Sequence, residues 1–196
     1  MLRLFIAINL PSELLQSLGD VQNRLRQHLS GLPLTWVRTE GIHLTLKFLG
    51  ETDPRRVEGI VARLRTVAAA WPPFVVPVDG LGCFPDRRRP QVVWVGVQDP
   101  DGALQRLAAA VDEAMADLGW EREKRPFTGH LTLARVKRDA GNEERRRIGE
   151  HIAAFALSAP GLLPVQALHL MRSQLDPGGA VYSEVAVVPL AATTKT

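Results

Sequence analysis

The chain has 196 residues, 45% of them hydrophobic and 23% charged, enough to bury a substantial core and too apolar for a disordered segment. Its formal net charge of +3 favours anionic ligands but falls far short of a general nucleic-acid coat. A single cysteine excludes an internal disulfide and a cysteine-based metal cage, and no apolar run approaches the roughly 18 residues of a transmembrane helix.

The opening MLRLFIAINLP has only a short apolar stretch, interrupted by Asn9 and Pro11, so it reads as a strand at residues 3–10 rather than a signal peptide. Pro11-Ser12-Glu13 opens a helix that runs to about residue 29, with Leu14, Leu15, Leu18, Val21 and Leu25 at helical spacing. A short strand at 34–38 and a longer one in GIHLTLKFLG follow. A second helix starts near Asp53-Pro54 and reaches about residue 70, and strand returns at 74–81. Cys83, in LGCFP, reads as a buried structural thiol. The run Pro85-Asp86-Arg87-Arg88-Arg89-Pro90 is a loop, either a solvated tip or a guide that steers a phosphate chain.

The same order then repeats: strand 92–97, helix 101–118, short strand 120–125, strand 130–136, charged helix 143–154 and strand 163–171. Asp176-Pro177-Gly178-Gly179 is a turn signal before a closing strand at 181–188. The two units, about 3–82 and 91–172, sit in a single domain spanning 1–196. They imply an α+β protein of two pseudo-twofold-related lobes, each an antiparallel sheet with helices on its outer face and an active-site cleft between them.

His43-Leu44-Thr45-Leu46 recurs unchanged at His130-Leu131-Thr132-Leu133. Chance recurrence of a given four-residue string has odds on the order of one in several hundred in a chain this long. Side chains alternate along a strand, so His43 and Thr45 share one face and Leu44 and Leu46 the other; His130 and Thr132 do likewise. Outside these strings the halves have diverged almost completely. Two imidazoles that titrate near neutrality supply the neutral base and protonated acid of concerted acid–base catalysis. Phosphodiester hydrolysis needs both, together with donors for the phosphoryl oxygens, which the threonines offer. A metal fits less well, because these strands bring no matching carboxylates and no His-Glu-x-x-His helix.

Paired His-x-Thr-x motifs in a duplicated chain resemble the 2H phosphoesterase superfamily. The flanks narrow the resemblance to the RNA 2′,3′-cyclic phosphodiesterases, historically called 2′-5′ RNA ligases. These flanks are RLFIAINLP, Trp36-Val37-Arg38, LGCFP, VVWVGV, Arg125-Pro126-Phe127, and Leu170-Met171-Arg172-Ser173 with Gly179 and Tyr182. The resemblance implies hydrolysis of an RNA or nucleoside 2′,3′-cyclic phosphate to a 2′-phosphate, without metal or other cofactor. It implies His43 as the proton donor, His130 as the proton acceptor, Thr45 and Thr132 as phosphate contacts, and Arg135 as a substrate-binding residue. It further implies a monomer without membrane association, in the cytoplasm. Gly129 stands where the family commonly has proline, which is expected to loosen the start of the strand.

In a regular strand, parity puts Arg135 opposite His130, so it reaches the cleft only if the strand bulges or ends near Ala134. Lys47 has the parity to sit beside Thr45 at the cleft rim. The four tryptophans read as core residues rather than base-stacking platforms, with Trp36, near the first motif, the one to test for stacking; His28, His151 and His169 lie in no motif and read as surface or core residues. Ligation to a 2′-5′ linkage is the same chemistry reversed, so the motifs leave it open. Action on another cyclic phosphate, such as ADP-ribose cyclic phosphate, and a catalytically idle RNA-end-binding module also remain open.

Overall fold

The computed structural model describes residues 1–176 and 179–191, so Pro177 and Gly178 of the expected turn lie outside it. In chain order the elements are β1 (Leu2–Asn9), α1 (Ser12–His28), β2 (Leu34–Trp36), β3 (His43–Thr52), α2 (Val57–Ala69), β4 (Phe74–Phe84) and β5 (Val92–Val97). They continue as α3 (Ala103–Ala116), β6 (His130–Val136), α4 (Asn142–Ala154), β7 (Gly161–Val165), β8 (Ala167–Asp176) and β9 (Gly179–Pro189). Side chains satisfy the free N–H groups where two of the helices start. Asp99 accepts from the amides of Leu104 and Gln105 at α3, and Glu144 accepts from that of Gly141 at α4. Each helix buries one stripe, as Leu14, Leu18, Val21 and Leu25 do in α1.

The strands form one curled antiparallel sheet in the order β7-β4-β5-β6-β3-β1-β8-β9, with β2 added along β6. Its two halves meet at a single ladder pair, Leu44 opposite Leu131. Around that pair β3 corresponds to β6, β1 to β5, β8 to β4 and β9 to β7. Helices α2 and α3 pack on the β3–β9 half, and α4 and α1 on the other. Leu44, Leu131 and the stripes of α1, α2 and α3 belong to one continuous core on that outer side, while Ile148 and Ile152 of α4 pack with Val93 and Ala134 in a smaller one. The α+β expectation of two lobes around a cleft therefore holds.

The lobes are not the two sequence repeats, however. Strand β4 crosses from the first repeat to pair with β5, and β8 crosses back to pair with β1. The run expected as one strand at 163–171 consequently breaks at Gln166, where the chain leaves β4 for β1. Residues 120–125 form no strand. This segment reads Trp-Glu-Arg-Glu-Lys-Arg, has no apolar alternation, and is held by side chains instead. The Trp120 indole N–H donates to Leu49 O at 2.9 Å, and the Lys47 ammonium to Glu121 O at 2.6 Å.

Each motif strand carries a bulge at the same place. Opposite β1, the register jumps from Thr45 to Lys47; opposite β5, it jumps from Thr132 to Ala134. One unpaired residue shifts the phase of alternation. Leu46 and Lys47 thus both face the helices, as do Leu133 and Ala134, while Phe48 and Arg135 return to the histidine face. Lys47 is accordingly not at the cleft rim. It is 3% exposed under α3, where its ammonium contacts Asp112 at 2.5 Å.

Both bulges are fastened by a polar residue of a helix. Gln22 of α1, 1% exposed, donates to Leu133 O at the β6 bulge and to Val37 O, and accepts from Thr39. Asp112 of α3 takes the Lys47 ammonium and also accepts from the amide of Glu123. In each case one helical side chain ties a bulge to the segment that leads into a motif histidine.

Removing one partner of a buried ion pair strands the other. Lys47→Met is expected to destabilise the protein by about 3–5 kcal/mol in denaturant titration, and adding Asp112→Leu should recover much of the loss. A single variant as stable as wild type would show that the pair does not hold α3 to β3.

Candidate active site

The single contact between the halves sets the geometry. Leu44 and Leu131 are both fully buried and point to the core. Continuing the antiparallel register one residue each way sets His43 against Thr132 and Thr45 against His130, on the opposite, concave face. All four line one cleft of about 690 Å³, and Arg135 lines it with them. The bulge is what brings Arg135 there. Trp36 is not in this wall: it packs against the core with the Arg26 guanidinium over its ring, 5.2 Å from the centroid.

Each imidazole is oriented by the chain two residues before it. His43 Nδ1 lies 2.8 Å from Gly41 O, and His130 Nδ1 lies 2.7 Å from Thr128 O. A carbonyl only accepts, so Nδ1 carries the hydrogen in both rings and Nε2 is the nitrogen left to exchange a proton. Gly129 does not loosen this arrangement, since its carbonyl already accepts from Val97 N at 2.9 Å. A Cβ there would stand 3.1 Å from Val97, so the start of β6 is tightly packed.

Aromatic rings wall in the histidines. The Phe5 and Tyr182 centroids lie 4.7 and 4.8 Å from that of His43; Phe84 lies 4.9 Å from His130, with Trp94 at 6.3 Å. Tyr182 rests on Gly41, where a Cβ would stand 3.3 Å from its ring. A glycine thus lets Tyr182 close over the residue whose carbonyl orients His43. Phe84 and Tyr182 were visible in the sequence as parts of flanking motifs, but nothing in their spacing showed that they face the histidines.

Burial behind these rings pushes both imidazoles below the ordinary value near 6.5, because desolvation disfavours the charged form. The backbone hydrogen bond opposes this in each. The Arg135 charge lowers both further, and His130 in turn lowers His43. The cleft by itself therefore favours neutral histidines, and an anion between them raises both. The Thr45 and Thr132 hydroxyls make no hydrogen bond to another described residue, which leaves them free to donate to such an anion. Among the described residues no three His, Cys, Asp or Glu side chains gather as metal ligands. Cys83 is buried in β4, and burial pushes its thiol up, as suits a structural residue. No described helix is long and apolar enough to cross a membrane.

His169, which lay in no motif, is also on the concave face. Its Nδ1 contacts Glu184 at 2.7 Å and Asn9 at 3.1 Å, so it is committed to neighbours on β9 and β1. His28 and His151 meet edge to face, with ring centroids 4.9 Å apart, and lie outside the cleft.

Arg135→Gln removes a positive charge that both histidines feel, so both should titrate at higher pH than in wild type. Proton NMR of the imidazole Cε1–H signals in the free protein measures this directly. Unchanged midpoints would place Arg135 too far from the pair to act on it.

The LigT-like phosphoesterase family model matches the chain twice, over residues 8–94 and 95–182. The RNA 2′,3′-cyclic phosphodiesterase of Archaeoglobus fulgidus is 32% identical over 186 residues, which cover 95% of this chain and 99% of the relative. The enzyme of that name from Thermus thermophilus is 32% identical over 93% of this chain and 87% of its own. Among solved structures, a Thermus thermophilus protein superposes with a TM-score of 0.75 at 28% identity, covering 97% of this chain and 99% of that one. Escherichia coli LigT complexed with 3′-AMP gives 0.74 at 26% identity, covering 96% and 98%. Both halves that supply the histidines lie within matched segments, and the chain belongs to the LigT-like phosphoesterase family of 2H phosphoesterases.

Proposed function

We propose that this protein hydrolyses 2′,3′-cyclic phosphate ends of RNA or nucleotides to 2′-phosphates, with His43 as acid and His130 as base. The observation that carries the reading is the meeting of two His-x-Thr pairs across Leu44 and Leu131, with Arg135 turned in beside them. The names of the whole-length relatives support the substrate class. Both histidines come from one chain, so the whole chain acts as one bilobal domain, and a single copy suffices for the reaction because the two repeats and the closing strand complete one cleft. A cytoplasmic site of action fits a substrate that arises where RNA is cut, and a chain in which no described helix is long and apolar enough to cross a membrane.

The cyclic phosphate monoanion enters between the rings and raises the affinity of both for protons. Nε2 of His130 then holds a lone pair toward water, and Nε2 of His43 holds a proton. The threonine hydroxyls and the Arg135 guanidinium bind the non-bridging oxygens, where negative charge grows. Water attacks phosphorus as His130 removes its proton, and the bond from phosphorus to O3′ breaks on the far side. His43 gives its proton to O3′, which leaves as the 3′-hydroxyl. The product keeps its phosphate on O2′. Exchange with solvent returns one proton to His43 and takes one from His130. Positioning and protonation carry every step, so no metal is required.

Turnover of a 2′,3′-cyclic nucleotide in excess chelator, with a 2′-phosphate product seen by phosphorus NMR, is the expected result; activity restored only by a divalent ion would overturn the mechanism. His43→Ala and His130→Ala should each slow turnover about 10²–10⁴-fold, the range for a positioned acid or base, without unfolding the protein. The roles separate with an activated 3′ leaving group, which needs little protonation. Such a substrate should rescue His43→Ala far more than His130→Ala, and the opposite pattern would exchange the two assignments.

A further inference from the structure

His43 and Tyr182 each line two cavities. On one side lies the cleft, and on the other a recess of about 260 Å³ with Leu10, Leu15, Ile42 and Met171 in its wall. That is just below the ~300 Å³ at which pockets for whole small ligands begin, a space for a single ring system. Arg38 and Glu40 line the same recess. The turn that carries them is fixed from within: the Thr39 hydroxyl donates to the Gln22 side chain at 3.0 Å, and the amide of Gly41 to Arg38 O at 2.9 Å. Thr39 is turned in and its two neighbours are exposed. Among the described residues neither the Arg38 nor the Glu40 side chain is held by an ion pair or a hydrogen bond. Asn9 also lines the recess, but its amide is committed to His169 and Glu184.

The in-line reaction fixes which side of the cleft the nucleoside occupies. Water attacks phosphorus opposite O3′, so the water belongs to His130. The ribose that carries O3′ belongs to His43, and its base lies on that side too, where the recess opens past Tyr182. The groove past His130, lined in part by Lys47 and Asp112, is on the water side. The 85–90 loop rests on α4, where a Cβ on Gly149 would strike Arg87 O, and its arginines do not line the cleft.

We propose that the recess beside His43 is a nucleobase subsite selective for guanine, read by Arg38 and Glu40. This rests on the assignment of His43 as the acid. The base lies against Tyr182, an aromatic surface that any base can use. Discrimination comes from the two unpartnered charges. Guanine presents an acceptor pair, O6 and N7, which a guanidinium meets with two parallel hydrogen bonds. Beside it is a donor pair, N1–H and the 2-amino group, which a carboxylate meets in the same way. Adenine has an amino group in place of O6, and its unprotonated N1 repels a carboxylate. Neither pyrimidine carries an acceptor pair and a donor pair side by side.

The test measures kcat/KM for the four nucleoside 2′,3′-cyclic phosphates, and for a methyl riboside 2′,3′-cyclic phosphate that has no base, on wild type and on Glu40→Gln. Wild type should prefer guanosine to adenosine by about 10-fold, within the range of one good bidentate pair. Glu40→Gln should lose about 10-fold on guanosine through KM, with kcat unchanged, since a base contact is made equally in ground and transition states. A glutamine amide both donates and accepts, so the variant should close the gap with adenosine. Turnover of the baseless substrate should stay within about two-fold. A wild type without guanosine preference, a preference that Glu40→Gln leaves intact, or an equal loss on the baseless substrate would overturn the subsite. Calorimetric titration with guanosine 2′-phosphate and adenosine 2′-phosphate separates this from the catalytic reading. If wild type hydrolyses none of the substrates, a Glu40-dependent preference for guanosine 2′-phosphate still upholds the subsite, and equal affinity for the two removes it.

Discussion

The site depends on one ladder contact. Leu44 and Leu131 join two half-sheets that otherwise diverge, and their burial on the helix side fixes which face each strand presents to the cleft. Since strand side chains alternate strictly, a slip of one residue would send both imidazoles into the core. The cost of burying them there makes the register self-enforcing: leucines go in and histidines come out only in the observed pairing. The same contact supplies proximity, because the two imidazoles stand on adjacent strands and not at the ends of flexible loops.

The bulges are the second constraint. Each turns the residue five places after its histidine back to the cleft, and the two halves fill that place differently, with Phe48 in one and Arg135 in the other. A repeated scaffold therefore makes an unsymmetrical site. The cation stands on the β6 side, and the edge of Tyr182 closes on His43 with no counterpart hydroxyl-bearing ring at His130. Duplicated motifs are equivalent on paper, and these unequal neighbours are the physical source of any division of labour between them.

Much of this was legible in the residues. The HLTL strings name the site, and the helical stripes and strand order are plain because each element repeats its own period. What could not be read lies between elements. Strict alternation put Lys47 at the cleft rim and Arg135 on the wrong face, since a bulge leaves no mark in an apolar run such as Leu-Ala-Arg-Val. The break at Gln166 was hidden for a similar reason: Leu163 to Met171 is largely apolar, and only the pairing partners show that β7 and β8 belong to different lobes. Residues 120–125 looked like the counterpart of β2 by position. Their charges, and the Lys47 and Trp120 donors that hold them, replace a backbone ladder.

Gln22 and Asp112 show how the unreadable parts are kept in place. Taken alone in the sequence, each is a polar residue in the middle of an amphipathic helix, where the usual expectation is a solvent-facing side chain. Each instead reaches a bulge and the segment before a motif strand. A bulge leaves a residue outside the sheet ladder, and an unsatisfied carbonyl or ammonium under a helix is costly, so the helical side chain and the bulge need one another. The pairing is chemically different in the two halves, a neutral amide in one and an ion pair in the other. Divergence has thus changed the atoms of the fastening while its position, between first helix and bulged strand, is the same in both. That shared position aims Arg135 and Phe48 from opposite walls at the cleft that His43 and His130 line.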